Sequence, residues 1–292
     1  MFSGFEKAFA DVNGVDIFYR RMGKGEPILL LHGFPQTHAM WADIARELAE
    51  NFTVVCSDLR GYGASSKPKG VQNYSFREMG NDQLRLMSAL NFKDFHLVGH
   101  DRGGRIAHRI ALDAPNRVKS ITLMDIVPTY LLLKDLKKTV AYDYYHWFLL
   151  SQPSPLPERL IATDPDYFYE TFLTNWGSTN LSMYSWDKLQ AYRTAWRNPE
   201  CIRAMCDDYR AAIHFDFGID AVDLERRVTA PALIMWGTHG AMAKSYCMET
   251  IWQDRLTEYR AAAVEGGHFF PDTDPQKTYE ALIEFFSSFD KI

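Results

Sequence analysis

An aspartate held at a tight turn between a strand and a helix is a nucleophile that attacks without first losing a proton. Residues 95–104 offer that placement: the run Phe95-His96-Leu97-Val98-Gly99 leads to His100, then Asp101, Arg102, Gly103 and Gly104. The form Gly99-x-Asp101-x-Gly103 is a nucleophile elbow in which aspartate stands where serine is usual. Glycine on both flanks permits the tight turn that pushes the central side chain into a pocket, and the helix N-terminus behind it favours an anion. Taken alone, the same residues also read as a plain turn capped by an aspartate.

Three further pieces narrow that choice. His32-Gly33-Phe34-Pro35 follows the apolar run Ile28-Leu29-Leu30-Leu31. There the backbone N–H of Phe34, with that of Arg102, would face one carbonyl oxygen as an oxyanion hole, each donor worth about 2.7 to 4 kcal/mol of barrier. Of the nine histidines, His268 stands apart. Gly266-Gly267-His268-Phe269-Phe270 follows the last apolar run and puts an imidazole at the sheet edge where ligands of open α/β sheets gather. His239, in the loop after the preceding run, is its rival. The acid that orients such a base belongs in that same loop, but residues 237–246 contain no carboxylate. Asp125 instead ends the run 120–124, where it can accept from the far nitrogen of His268 and fix its tautomer. The bland alternative for Asp125 is a helix cap or a turn.

Positioning these groups requires a particular scaffold. Apolar or β-branched runs predict strands at 15–20, 27–31, 53–57, 95–99, 120–124, 232–236 and 260–264, after an opening hairpin. Helical patterns fall at 38–50, 76–90, 103–114 and 276–289. Such alternation is the mark of a mostly parallel sheet covered on both faces, an α/β class. Between Pro128 and Val222 the strand signal vanishes and prolines at 153, 155, 157, 165 and 199 break the helices. That third of the chain carries four of seven Trp and nine of fifteen Tyr, as expected of a lid that is half core and half pocket wall.

With 292 residues, 47% hydrophobic and 24% charged, the chain can bury a full core, and long disorder, collagen and coiled coil are excluded. Its 32 basic and 37 acidic residues leave a net charge of −5, which argues against a nucleic-acid or anionic-membrane surface. Cys56, Cys201, Cys206 and Cys247 form no Cys-x-x-Cys pair and read as buried or partly buried free thiols. The N-terminus has no basic start followed by an apolar stretch, and no run approaches the roughly 18 apolar residues of a membrane helix, so a soluble cytoplasmic protein is expected. Gly61-Tyr62-Gly63 lacks the third glycine of a dinucleotide loop, so it reads with Asp58 as turn structure. No His, Asp and Glu cluster has ligand spacing, and neither a metal nor a nucleotide cofactor is expected.

Taken together these residues resemble the α/β-hydrolase fold and, within it, the fluoroacetate (haloacetate) dehalogenases. The resemblance covers nearly the whole chain: HGFPQ at 32–36, DLRGYGASSKP at 58–68, GHDRGGR at 99–105, MDIVPTY at 124–130, HW at 146–147, DYRAA at 208–212 and GGHFF at 266–270. HGFP and DLRGYG are shared widely, whereas Asp-Arg-x-x-Arg and His-Trp separate dehalogenases from epoxide hydrolases. The resemblance implies an eight-stranded, mostly parallel sheet with a helical cap inserted after the sixth strand. It divides the chain into a core at 1–127 and 223–292 and a cap at 128–222. Its members commonly form homodimers.

An aspartate nucleophile suits displacement at a saturated carbon, giving an alkyl ester that His268 then hydrolyses with the Phe34 and Arg102 amides holding the oxyanion. Arg102 and Arg105, one helical turn apart, fit a substrate that carries its own carboxylate, bound through planar forks. The alternative for Arg105 is a solvated helix residue, which is also how Arg109 reads. The leaving halide needs donors, and the N–H groups of His146 and Trp147 offer them. From sequence alone, aromatic residues in such an insertion are more often core than catalytic, and the family match reverses that in favour of the halide role. The resemblance adds Tyr209 as a third donor. Trp176 is placed in the pocket wall. The expected reaction is hydrolytic dehalogenation of a short 2-haloacid, fluoroacetate or chloroacetate. Alternatives are an epoxide hydrolase with the same Asp-His chemistry and a non-catalytic protein of the same fold that binds a small acid.

Overall fold

The apolar runs pair into one sheet in a computed structural model that describes residues 1–134, 136–177 and 180–288. Its strands are β1 (Glu6–Asp11), β2 (Asp16–Met22), β3 (Pro27–Leu31), β4 (Thr53–Ser57), β5 (Phe95–His100), β6 (Val118–Met124), β7 (Ala232–Gly237) and β8 (Tyr259–Val264). They lie in the order β1-β2-β4-β3-β5-β6-β7-β8. β2 pairs antiparallel with β1 and β4, and every other pairing is parallel. The central strands β5 and β7 are buried along their whole length, which is why they read as near-continuous apolar runs. β1 is the strand that the periodicity did not place: it is an edge strand, mostly exposed, and EKAFAD carries little apolar alternation.

Helices α1 (Ala42–Leu48), α2 (Phe76–Ala89) and α3 (Arg102–Asp113) connect the first parallel strands. α2 begins with an N-cap, Ser75, whose hydroxyl accepts from the Glu78 amide. Between β6 and β7 the described residues contain helices and no strand: α4 (Thr129–Lys134), α5 (Lys138–Asp143), α6 (His146–Leu150), α7 (Leu156–Ile161), α8 (Pro165–Asn175), α9 (Trp186–Trp196), α10 (Pro199–Ala211) and α11 (Phe217–Val222). Pro165 and Pro199 open α8 and α10, where the missing N–H has no intrahelical partner to lose. α12 (Ala241–Ser245), α13 (Phe270–Thr273) and α14 (Pro275–Ser287) complete the chain, and the expected helix end at Phe289 lies outside the described residues.

A buried polar knot ties α9 to the core loops. Asp272 accepts from Lys188 Nζ at 2.6 Å, Tyr192 OH at 2.6 Å and Gln36 Nε2 at 2.8 Å. Two expectations need correction. Arg109 is not a solvated helix residue but is buried, its guanidinium 2.6 Å from Asp223 and 2.5 Å from Asp113. Cys247 is exposed, while the other three cysteines are buried, and all four are free. Among the described residues no helix is long and apolar enough to cross a membrane.

Candidate active site

The turn between β5 and α3 holds Asp101 at φ 48° and ψ −116°, a backbone conformation that costs on the order of 1–3 kcal/mol and persists only where its surroundings enforce it. They do. A Cβ at Gly99 would lie 2.3 Å from the Gly103 carbonyl oxygen, and one at Gly103 would lie 2.4 Å from that of Leu31, so only glycine lets strand and helix close on this turn. Asp101 is 3% exposed. Its Oδ2 accepts from the Phe34 amide at 2.9 Å, and the Arg102 amide begins the first turn of α3, where N–H groups have no intrahelical acceptor. Burial raises the Asp101 pKa, but the neighbouring His268, His100, Arg102 and Arg105 outweigh it and hold the carboxyl below its ordinary value. Asp101 is thus ionised.

The structure brings His268 and Asp125 together. His268 Nδ1 lies 2.6 Å from Asp125 Oδ2, and Asp125 Oδ1 accepts from the Gly237 amide at 3.0 Å. A carboxylate on Nδ1 puts the proton there and leaves Nε2 as the basic nitrogen. Among the described residues Nε2 has no hydrogen-bond partner. His268 is held further by its own backbone: its amide donates to the Trp176 carbonyl at 2.7 Å, and its carbonyl accepts from His100 Nε2 at 2.8 Å. Burial, with the adjacent His268, pushes the His100 pKa down to about 3, so His100 is a neutral donor. That holding role was not read from the sequence, where His100 was one of nine histidines. His239 is exposed, with its amide on the Gly266 carbonyl, and is not in this cluster.

The two arginines point inward from α3 and are both buried, but they differ. Arg102 already has a counterion: its Nε donates to Asp208 Oδ2 at 2.9 Å, and its Nη2 donates to Oδ1 and to the Asp208 carbonyl. Of the two forks expected to grip a substrate carboxylate, that of Arg102 thus already holds a carboxylate of the protein along its Nε–Nη2 edge. Arg105 Nη1 donates to the Val127 carbonyl at 2.9 Å and to Thr129 Oγ1 at 3.1 Å, and burial depresses its pKa. Among the described residues Arg102 Nη1 and Arg105 Nε have no partner. Asp208 opens the DYRAA run at 208–212, from which the sequence reading takes only Tyr209, because the run does not show which cation the aspartate meets.

Facing them from the helical segment are His146, Trp147 and Tyr209. Ring centroids of His146 and Tyr209 lie 5.3 Å apart, and those of Trp147 and Tyr209 lie 5.4 Å apart. Phe34 stacks on His146 at 5.7 Å, which ties this group to the loop that bonds Asp101. His146 Nδ1, Trp147 Nε1 and Tyr209 OH are all buried without a partner among the described residues. Each such atom left unpaired costs about 1–3 kcal/mol, and with His146 in its Nδ1–H tautomer all three would be free to donate to a bound acceptor. Burial holds His146 neutral. Trp176 walls the group, its ring 4.6 Å from His146 and 5.1 Å from His268. Asp58 does serve a turn, accepting from the amides of His38 and Ala64 at 2.8 Å each.

Residues 26–275 match the alpha/beta hydrolase fold family. A fluoroacetate dehalogenase from Burkholderia sp is 49% identical over 98% of this chain and 95% of its own length. A soluble epoxide hydrolase from Corynebacterium sp. (strain C12) is 29% identical over 95% and 96% of the two chains. The crystal structure of a "putative alpha/beta hydrolase" from Nostoc sp PCC 7120 superposes with a TM-score of 0.96 at 42% identity, covering 98% of this chain and 99% of that one. Sheet order, elbow and sequence agree, and the chain belongs to the alpha/beta hydrolase fold family.

Proposed function

We propose that this protein hydrolyses the carbon–halogen bond of short 2-haloacids, fluoroacetate or chloroacetate, giving glycolate, halide and a proton. The observation that carries the proposal is the set of three unpartnered buried donors, His146 Nδ1, Trp147 Nε1 and Tyr209 OH, gathered beside an ionised Asp101 and two buried arginines. The 49% identity to a fluoroacetate dehalogenase supports it.

The free oxygen of Asp101, Oδ1, attacks carbon 2 of the substrate while Phe34 N–H holds Oδ2. The carbon–halogen bond breaks, and the halide leaves with its electron pair toward the three donors. Arg102 and Arg105 hold the substrate carboxylate and offset its repulsion from Asp101. The ester so formed is opened by water, which gives a proton to His268 Nε2 as its oxygen attacks the Asp101 carbonyl carbon. The Phe34 and Arg102 amides hold the oxyanion, and Asp125 stabilises the imidazolium. Collapse expels the glycolate oxygen, which takes the proton from His268, and the restored Asp101 carboxyl loses its own proton to solvent.

The segment 128–222 acts in this reading as a cap domain over a core of 1–127 and 223–292. A cytoplasmic homodimer completes it: the free thiols fit a reducing compartment, and the dimer rests on the family resemblance.

One turnover in heavy-oxygen water tests the ester route: the label enters Asp101 and is absent from the first glycolate released. Label in that first product contradicts the route. The rival with a specific observation behind it is epoxide hydrolysis, since Tyr144 and Tyr209 are both buried within the electrostatic reach of Asp101 and can protonate an epoxide oxygen. Halide release from fluoroacetate and chloroacetate, measured beside turnover of a styrene-type epoxide, separates the two and excludes a protein that only binds small acids.

A further inference from the structure

We infer that Asp208, fastened by Tyr62, is a positioning residue that clamps the Arg102 guanidinium, turning one nitrogen toward the substrate carboxylate and keeping the cation off the nucleophile. The inference rests on the dehalogenation reading for the identity of the carboxylate.

Two of the three guanidinium nitrogens are occupied. Nε and Nη2 take the two oxygens of Asp208 side by side, and Nη2 also takes the Asp208 carbonyl at 3.0 Å. Asp208 is itself fixed, because the Tyr62 hydroxyl donates to its Oδ2 at 2.7 Å. Both charged side chains are 0% exposed. Aromatic rings close around the guanidinium: its carbon lies 4.3 Å from the Tyr209 centroid, 4.6 Å from Phe76 and 5.0 Å from Trp147. Only Nη1 is left without a partner among the described residues. A planar fork held along two edges cannot rotate to share its charge, so the orientation is set before substrate arrives.

Arg102 directly follows Asp101 in the chain. Without a counterion of its own, a buried guanidinium there pairs with the nearest carboxylate, and that is the nucleophile. Asp208 supplies the competing carboxylate. It also sits next to Tyr209 in α10, so one short stretch of helix sets both the arginine and a donor of the proposed halide group.

The experiment titrates acetate, a carboxylate that does not react, and separately bromide into the wild type, Asp208→Asn and Tyr62→Phe by calorimetry. The clamp predicts that acetate binds roughly tenfold or more weakly to Asp208→Asn and a few-fold more weakly to Tyr62→Phe, the size of one charge-assisted hydrogen bond lost or loosened. Bromide binds as in the wild type or tighter. Were Asp208 merely a counter-charge, its removal would expose a cation and tighten acetate. Unchanged or tighter acetate binding by folded Asp208→Asn overturns the inference, as does equal weakening of acetate and bromide. If Asp208→Asn does not fold, Tyr62→Phe decides by the same criterion. Chloroacetate turnover by the wild type is followed in parallel. Acetate binding that obeys the clamp without halide release leaves the clamp standing and sinks the dehalogenation reading.

Discussion

Asp125 Oδ2 and His268 Nδ1, 143 residues apart in the chain, meet at 2.6 Å at the C-terminal edge of the sheet. Asp125 follows β6, His268 follows β8, and β7 between them contributes the Gly237 amide that holds the other carboxylate oxygen. The carboxylate on His268 therefore stands one strand nearer Asp101 than the loop after β7, where residues 237–246 contain no carboxylate.

That contact makes the second chemical step separable from the first. His268→Asn is expected to form the ester and fail to hydrolyse it, so that mass spectrometry finds a carboxymethyl group on the peptide containing Asp101. Asp125→Asn turns the Nδ1 partner into a donor and favours the wrong tautomer, with turnover falling by roughly 10⁴-fold while one equivalent of halide is still released at once. A His268→Asn enzyme that binds acetate but carries no adduct contradicts the assignment of the base.

Among the described residues Arg105 has no paired carboxylate like that of Arg102, and its Nη1 bonds are to a carbonyl and a hydroxyl. In the proposed reaction its uncompensated charge meets the substrate carboxylate beside the one unpartnered nitrogen of Arg102. Arg105→Ala is expected to lose about 10- to 100-fold in kcat/KM on chloroacetate, the value of one or two charge-assisted hydrogen bonds, and much less on a neutral haloalkane. Equal losses on the two substrates refute a carboxylate-binding role.

Trp147→Phe removes the indole N–H but keeps a ring face beside Arg102 and Arg105, whose guanidinium carbons lie 5.0 and 4.8 Å from the Trp147 ring. Fluoride is the strongest hydrogen-bond acceptor among the halides and the poorest leaving group. Fluoroacetate turnover should therefore fall roughly tenfold, and bromoacetate turnover should change little. A uniform loss across the halides counts against direct donation to the leaving group.

Stability carries a pH signature at Asp216. Its Oδ1 accepts from the Phe76 amide at 2.9 Å, Oδ2 has no partner among the described residues, and burial pushes its pKa up to about 8 from the ordinary 3.8. Between those two values the folded chain keeps a proton that the unfolded chain has released. The stabilisation is complete below about 4 and declines as pH rises toward 8, by at most about 1.4 kcal/mol per pH unit. Asp216→Asn keeps the acceptor and removes the titration. Its melting temperature should exceed that of the wild type at pH 9, with the advantage shrinking toward pH 5. A difference that does not vary with pH rules out this account.

Much of the scaffold was legible because its signals are local. β3 and β4 run over the predicted residues, and α2 and α3 end within a residue or so of expectation, since buried parallel strands write unbroken apolar runs and glycines mark the elbow. β1 was not placed because an exposed edge strand has no face that must be apolar. Within the site, the residues legible in the sequence are those carried by a motif next to them: Asp101 in its glycine turn, Phe34 after the apolar run of β3 and His268 in its Gly-Gly loop.

Amino-acid order by itself thus determined the sheet, the elbow and the kinds of side chain available for chemistry, because each depends on residues within one turn or one strand of another. Tertiary structure alone decided how those side chains are charged and aimed. Arg102 meets Asp208 across 106 residues, and Arg109 meets Asp223 across 114. Spacing along the chain encodes no such pairing. It arises when α3, α10 and the end of α11 pack together and buried guanidinium groups, removed from water, take the carboxylates that packing brings within reach.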